Sequence, residues 1–356
     1  MTSNPSPATP CALQEGRHLY RRLSQRRRLA LAAMAAAALA SFLLDLSLGQ
    51  ALYPTGRILA ALWDRDAAPA LQVILWDIRL PVALSALVVG ASLALAGVQM
   101  QTVLNNPLAS PFTLGLSAAA SFGAALGLVL GVNILPASAV AFAIPANAFL
   151  VSMAAALFIH RLSRRRSITT EMIVLLGTTL VFTFGALLEA LQYVAPDQAL
   201  SAVVFWTMGS LSRANWPKLA IMGTLLAAAW IAFARQAWAM TALRLGEARA
   251  ASLGVPVERL RLRAILLGSL LASVCVSFVG TIGFVGLVGP HMARMLIGED
   301  QRYLLPASAL CGAAMLSAAS VLSKCLLPGQ TLPIGIVTSL VGVPLFFTLI
   351  LRKRPR

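Results

Sequence analysis

Hydrophobic residues along this chain gather into long runs, and the polar residues collect in the stretches between them. Runs long enough to cross ~30 Å of hydrocarbon as a helix lie at 29–48, 80–104, 112–132, 137–160, 172–194, 218–234, 264–280, 281–297, 304–323 and 334–351. The pattern predicts an all-α, polytopic membrane protein with ten transmembrane helices. The boundary near 280 is the least marked, because no polar loop separates the two runs that meet there. An even number of crossings puts both termini on one side of the membrane.

Composition agrees with the pattern. A hydrophobic fraction of 59%, a mean hydropathy of +0.82 and only 11% charged residues exclude an ordinary soluble domain. The net charge of +16 raises the question of a nucleic-acid partner. The arginines, however, lie between apolar runs rather than on one face, and aromatic residues are sparse. The expected topology puts 22 of the 28 Lys and Arg residues on one side. Arg57, Arg65, Arg79, Arg213, Lys218 and Lys324 lie on the other. By the positive-inside rule the richer side, with both termini, is cytoplasmic.

Residues 1–16 are rich in Pro, Ser and Thr and are expected to be disordered, so 1–28 reads as a basic cytoplasmic tail. The run at 29–48 is too long for a signal-peptide core and no cleavage site follows it, which predicts a retained first helix. Residues 29–351 form the permeating bundle in this reading, and 352–356 a second cytoplasmic tail. Small residues mark helix contacts: Gly123, Gly127 and Gly131 at four-residue steps, and Gly90-Ala91-Ser92 with Ala94 to Gly97. Gly280, Gly283, Gly286 and Gly289 recur every third residue and predict a stripe without side chains against which another helix packs. Pro290 is expected to bend or end that helix, and Arg294 to mark a membrane edge. An ordinary glycine-rich transmembrane helix fits the same residues. Cys11, Cys275, Cys311 and Cys325 have neither metal-ligand spacing nor a disulfide pattern, and read as packing residues.

Catalytic chemistry is not legible. There is no phosphate-binding loop, HExxH pair, GxSxG elbow or carboxylate dyad, and His18, His160 and His291 are isolated. Ion-coupled carriers hold ionisable groups near the midplane. Here Asp45, Glu171 and Glu189 sit towards helix ends, so the driving energy is expected to come from outside the chain. The widest cytoplasmic connection, 235–263, contains Leu245, Gly246, Glu247, Ala250, Leu253 and Gly254, where two glycines bracket a short amphipathic helix. Glu247 suits the dipole at its start. This stretch reads either as a solvated basic loop with an interfacial helix or as a knob that docks into a soluble partner.

Several motifs in order carry a family resemblance. They are Arg79-Leu80-Pro81, Asn106-Pro107-Leu108-Ala109 with Pro111, Trp206 to Leu211, the Leu245–Val255 stretch, Phe284 to Arg294, and Leu332 to Thr338. Together they resemble the FecCD family, the permeases of type II ABC importers for iron–siderophores, haem and vitamin B12. The resemblance implies a BtuC-like permease of the inner (cytoplasmic) membrane, with ten helices per subunit and no catalysis of its own. It implies a second permease copy, usually a homodimer, with the substrate path along the subunit interface. It also implies a cytosolic ATPase dimer, where ATP and Mg act, and a periplasmic or extracellular solute-binding protein. No cofactor bound by this chain and no nucleic-acid partner are implied.

Residue by residue, Leu245 to Gly254 match the family's ATPase-coupling loop, and Arg79 and Lys324 match docking cations for the binding protein. Thr169, Thr170 and Glu171 occupy the region of the cytoplasmic gate, though such residues also simply start helices. The sequence departs from the family at Val82, Ser320 and Thr331, where arginine, aspartate and an acidic residue are the pattern, and at Lys324, where it is arginine. An iron(III)–siderophore is the leading expected cargo, with haem, cobalamin or an oxyanion as alternatives. An ion-coupled secondary transporter is the rival of another class.

Overall fold

A computed structural model describes residues 10–49, 56, 61, 69–136, 139–164, 169–327 and 329–351. Residues 1–9, the C-terminal tail 352–356, Arg57 and Arg65 lie outside the described residues. The described chain is helical throughout: α1 Pro10–Ser47, α2 Pro69–Val103, α3 Leu116–Leu130, α4 Val140–Ser163, α5 Thr170–Val194 and α6 Asp197–Thr207. It continues through α7 Trp216–Leu243, α8 Glu247–Ser252, α9 Val257–Val279, α10 Val285–Ile297, α11 Gln301–Cys325 and α12 Ile334–Leu351. Seven of these helices are long and apolar enough to cross a membrane, and α3, α10 and α12 are shorter apolar helices. The ten correspond one to one with the ten apolar runs. α6 is an addition: 11 residues reach only about 16 Å, too short to cross. It opens on Pro196 and Asp197, which favour a helix start, and it buries Trp206.

The basic N-terminal segment differs from expectation. Helix α1, described from Pro10, runs without a break through the arginines into the apolar run. The stretch 10–28 is therefore helix rather than disordered tail. Arg27 fixes it: its Nη1 lies 3.4 Å from Asp300, its Nε donates to the Ile297 carbonyl, and its guanidinium stands over the Tyr303 ring.

Helix α2 is the spine of the bundle. It is buried along most of its length and packs against α7, α9, α10 and α11. Close approach depends on glycine at two crossings. A Cβ on Gly90 would fall on the Gly312 carbonyl, and one on Gly97 would fall on the Gly286 carbonyl. Pro290, four residues on from Gly286, has no N–H to give that carbonyl, so the oxygen faces the Gly97 backbone instead. Pro290 lies inside α10 and does not end it.

The four glycines from 280 do not form one helical stripe. Gly280 closes α9 with φ +82°, and Gly283 lies in the bend before α10, with only Ser339 near its Cβ position. Gly286 and Gly289 pack on α2 and α11. The break at 280–284 is thus made by two left-handed residues, Gly280 and Phe284 (φ +65°), rather than by a polar loop. Gly123 and Gly127 face Asn147 of α4, and Gly131 ends α3 in a left-handed conformation.

Candidate functional site

One end of the bundle gathers the arginines. Helix α7 stops at Arg244, and α8 follows between Gly246 (φ +101°) and Gly254 (φ +81°). These two left-handed positions turn a six-residue helix out from the bundle. Ala250 is fully buried among Met240, Val255, Leu260 and Ala264, and anchors it. Leu245, Glu247 and Leu253 are more than half exposed, at 57%, 61% and 52%. Of the six residues expected here, two shape the turn, one anchors, and three face outward. Glu247 is ion-paired to Arg261 at the start of α9, whose Nε also donates to the Val103 carbonyl at 3.4 Å.

Behind α8 lies a charge network that sequence reasoning missed. Glu299, in the turn between α10 and α11, accepts from Arg244 Nη2 at 2.9 Å and from Arg294 Nε at 3.1 Å. Arg294 Nη1 donates to Gln101 Oε1 at 3.0 Å, and Gln101 Nε2 donates to the Leu287 carbonyl at 3.3 Å. Arg294 is thus more than the marker of an edge; it is a largely buried strut. Thr169 caps α5 by accepting from the Met172 N–H, and Glu171 is exposed in its first turn. Both act as helix-start residues.

At the opposite end, Arg79 and Lys324 are not presented as free cations. A π-helical turn at Ile74–Arg79 widens α2 just where Pro81 would otherwise clash with the Asp77 carbonyl. That turn directs Arg79 at the end of α1, where Nη1 donates to the carbonyls of Leu46 and Ser47 at 3.2 and 2.9 Å. Lys324 Nζ sits 2.8 Å from Asp45 Oδ1 and donates to the Asp45 carbonyl at 2.9 Å. Both cations thus satisfy the carbonyl-rich C-terminus of α1, where positive charge is favourable. Arg79 is buried and Lys324 half-buried, so within this chain both are held by the end of α1 while lining the clefts at this end of the bundle. A cleft of about 260 Å³ beside them is lined by Ser210, Ser212, Arg213, Ser320, Ser323 and Thr331 among others. Among the described residues, no group of three His, Cys, Asp or Glu could hold a metal.

A model of the FecCD transport family matches residues 37–352, most of the chain. The chain belongs to the FecCD transport family. The haemin transport permease HmuU of Yersinia pestis is 39% identical over 293 residues, covering 82% of this chain and 87% of that protein. The vitamin B12 permease BtuC of Vibrio cholerae is 36% identical over 283 residues, covering 79% and 84%. A solved inward-facing transporter assigned to the metal-chelate ABC type superposes with a TM-score of 0.79 at 30% identity, covering 91% of this chain and 99% of that one. The FecCD fold and a permease role in the type II ABC importer family follow. Within this FecCD permease, Glu299 and Gln101 had escaped notice, and Asp45 had been placed at a helix end without its partner Lys324. Each is a lone polar residue in or beside an apolar run, and only the assembled bundle reveals its partner.

Proposed function

We propose that this chain is the membrane subunit of an ATP-driven importer for an iron(III)–siderophore complex. One observation carries the ATP-driven part of the reading. The glycine-bracketed segment Leu245–Gly254 projects two leucines and a carboxylate from the arginine-rich end of a chain that has no nucleotide-binding loop of its own. Exposed leucines on a short, anchored helix suit a hydrophobic cleft in a soluble protein. The partner there is a cytosolic ATPase dimer, where ATP and Mg act, and the arginine-rich end with both termini is cytoplasmic. A solute-binding protein meets the opposite end, outside the inner membrane.

Helix α5 supports a second permease copy. It buries only Ile173 and Gly177, and Phe182 is 73% exposed. Thr178, Thr179 and Thr183 turn their hydroxyls onto carbonyls of α5 itself. Facing copies of α5 would line a path with few fixed polar groups, suited to a large chelate. Thr169, Thr170 and Glu171 stand at the cytoplasmic mouth of that path, where they would act as its gate. Relatives that carry haemin and vitamin B12 make those chelates the competing cargoes.

The test is reconstitution with the ATPase in proteoliposomes, comparing ferric siderophore, haemin and cobalamin. ATP-dependent uptake of the ferric siderophore is expected. Uptake of haemin or cobalamin alone would overturn the cargo. Uptake driven by an ion gradient without ATPase would overturn the importer reading.

A further inference from the structure

The last turn of α2 is tied to the segment Leu245–Gly254 from both sides. On one side, Arg244 immediately precedes the segment and donates from Nη1 to Asn105 Oδ1 at 3.0 Å. On the other, Glu247 in the first turn of α8 is ion-paired to Arg261, which reaches the Val103 carbonyl. Asn105 occupies a left-handed conformation (φ +45°), and Asn106 N–H bonds back to the Gln101 carbonyl at 3.1 Å. This is a Schellman-type helix end, a stiff terminus rather than a frayed one.

The polar side chains close a ring around that terminus. From Arg244 it runs to Glu299, to Arg294, to Gln101 on α2, and along the helix end through Asn105 back to Arg244. Gln101 is 1% exposed and Arg294 is largely buried, so a broken link leaves a polar group without water to replace its partner. The ring joins the ends of α2, α7 and α10 and the turn before α11. Because α2 is the spine, a displacement delivered to its end reaches every helix packed on it.

We infer that the last turn of α2, Gln101–Asn105, receives the movement of the Leu245–Gly254 segment, with Glu299 as the positioning residue that holds the connection. The inference rests on the coupling role proposed above for that segment. Glu299 is suited to the task because it uses both carboxylate oxygens, one on Arg244 and one on Arg294. Loss of its charge would leave two neighbouring guanidiniums repelling each other across the joint. Asn105 is a second, independent hold on Arg244.

The test follows the end of α2 directly. Leu108, 49% exposed just beyond that turn, is replaced by cysteine in a Cys11→Ser, Cys325→Ser background and labelled with an environment-sensitive dye. The labelled permease with its ATPase, in lipid nanodiscs, is given ATP and vanadate. A fluorescence change is expected, and Glu299→Gln should shrink it about fivefold or more. ATPase association and basal hydrolysis should stay unchanged, and Glu299→Asp should recover part of the response. Asn105→Ala, which keeps every charge, provides the same reading if Glu299→Gln is poorly folded. A full-sized response in both variants, or no response in the parent with ATPase bound, overturns the inference while leaving the importer reading intact. Failure of the parent to bind any ATPase overturns the importer reading and this inference with it.

Discussion

Lys324 of α11 lies with its Nζ 2.8 Å from the carboxylate of Asp45 in α1, and the Asp45 side chain is fully buried. Removing one partner of a buried pair costs about 3–5 kcal/mol, because the remaining charge keeps its desolvation penalty. Lys324→Met or Asp45→Leu alone should therefore lower the apparent melting temperature in detergent. The double variant Asp45→Leu/Lys324→Met should recover most of the loss, since it leaves no stranded charge. Single variants that melt like the parent would show that the pair contributes nothing to the stability of the bundle.

The crossing of α2 and α11 sets a second expectation. Gly90 and Gly312 each stand where a Cβ on the other would strike a backbone carbonyl, which no side-chain rotation relieves. Gly312→Ala should cost at or above the upper end of the about 1–3 kcal/mol typical of overpacking. Gly254→Ala is the control, because nothing lies within 4 Å of its Cβ position and only φ +81° opposes it. That strain is worth about 1–2 kcal/mol. Melting temperatures of the two variants in one detergent decide the order, and equal values would refute the close-packing argument.

Asp300 supplies a pH dependence. It caps α11 through the Arg302 N–H and accepts from the Arg302 guanidinium, with Arg27 3.4 Å away. The hydrogen bond from Arg302 holds its carboxyl below the ordinary value of 3.8, with Arg27 adding a smaller share. A group with a depressed folded pKa contributes stability that is complete above its unfolded value and fades as pH falls through the folded one. Protonation of Asp300 at low pH should therefore weaken the hold of Arg27 on α11. Asp300→Asn, which can still cap the helix, should flatten the dependence of stability on pH below about 4. An unchanged acid limb would mean that another carboxylate controls it.

The membrane class and all ten apolar helices were legible because hydrocarbon thickness imposes a length on each run. What escaped was set by contacts between distant segments. Glu299 looks like one more loop carboxylate until α7 and α10 bring Arg244 and Arg294 to it. Arg79 and Lys324 look like free outer cations until α1 presents Asp45 and its terminal carbonyls. The glycines from 280 repeat every third residue, a spacing that drifts around a helix of 3.6 residues per turn. Two of them are spent on a bend and two on packing.

Glu247 separates the two roles open to α8. It is 61% exposed while Arg261, its partner, is 14% exposed, so the acidic residue stands at the outer edge of the pair. Replacing it by arginine sets two cations side by side, in a segment whose Cβ positions at Gly246 and Gly254 meet nothing. The fold has room to accommodate that change, but a partner surface that reads the carboxylate does not. Glu247→Arg should lower affinity for the ATPase by at least tenfold, which is about 1.4 kcal/mol. Removal of 245–254 should abolish association, and both variants should still insert in the membrane. Copurification of the ATPase from membranes, with permease content measured in parallel, checks both. Association at the parent level in both would show that α8 is only an interfacial helix and that the ATPase docks elsewhere.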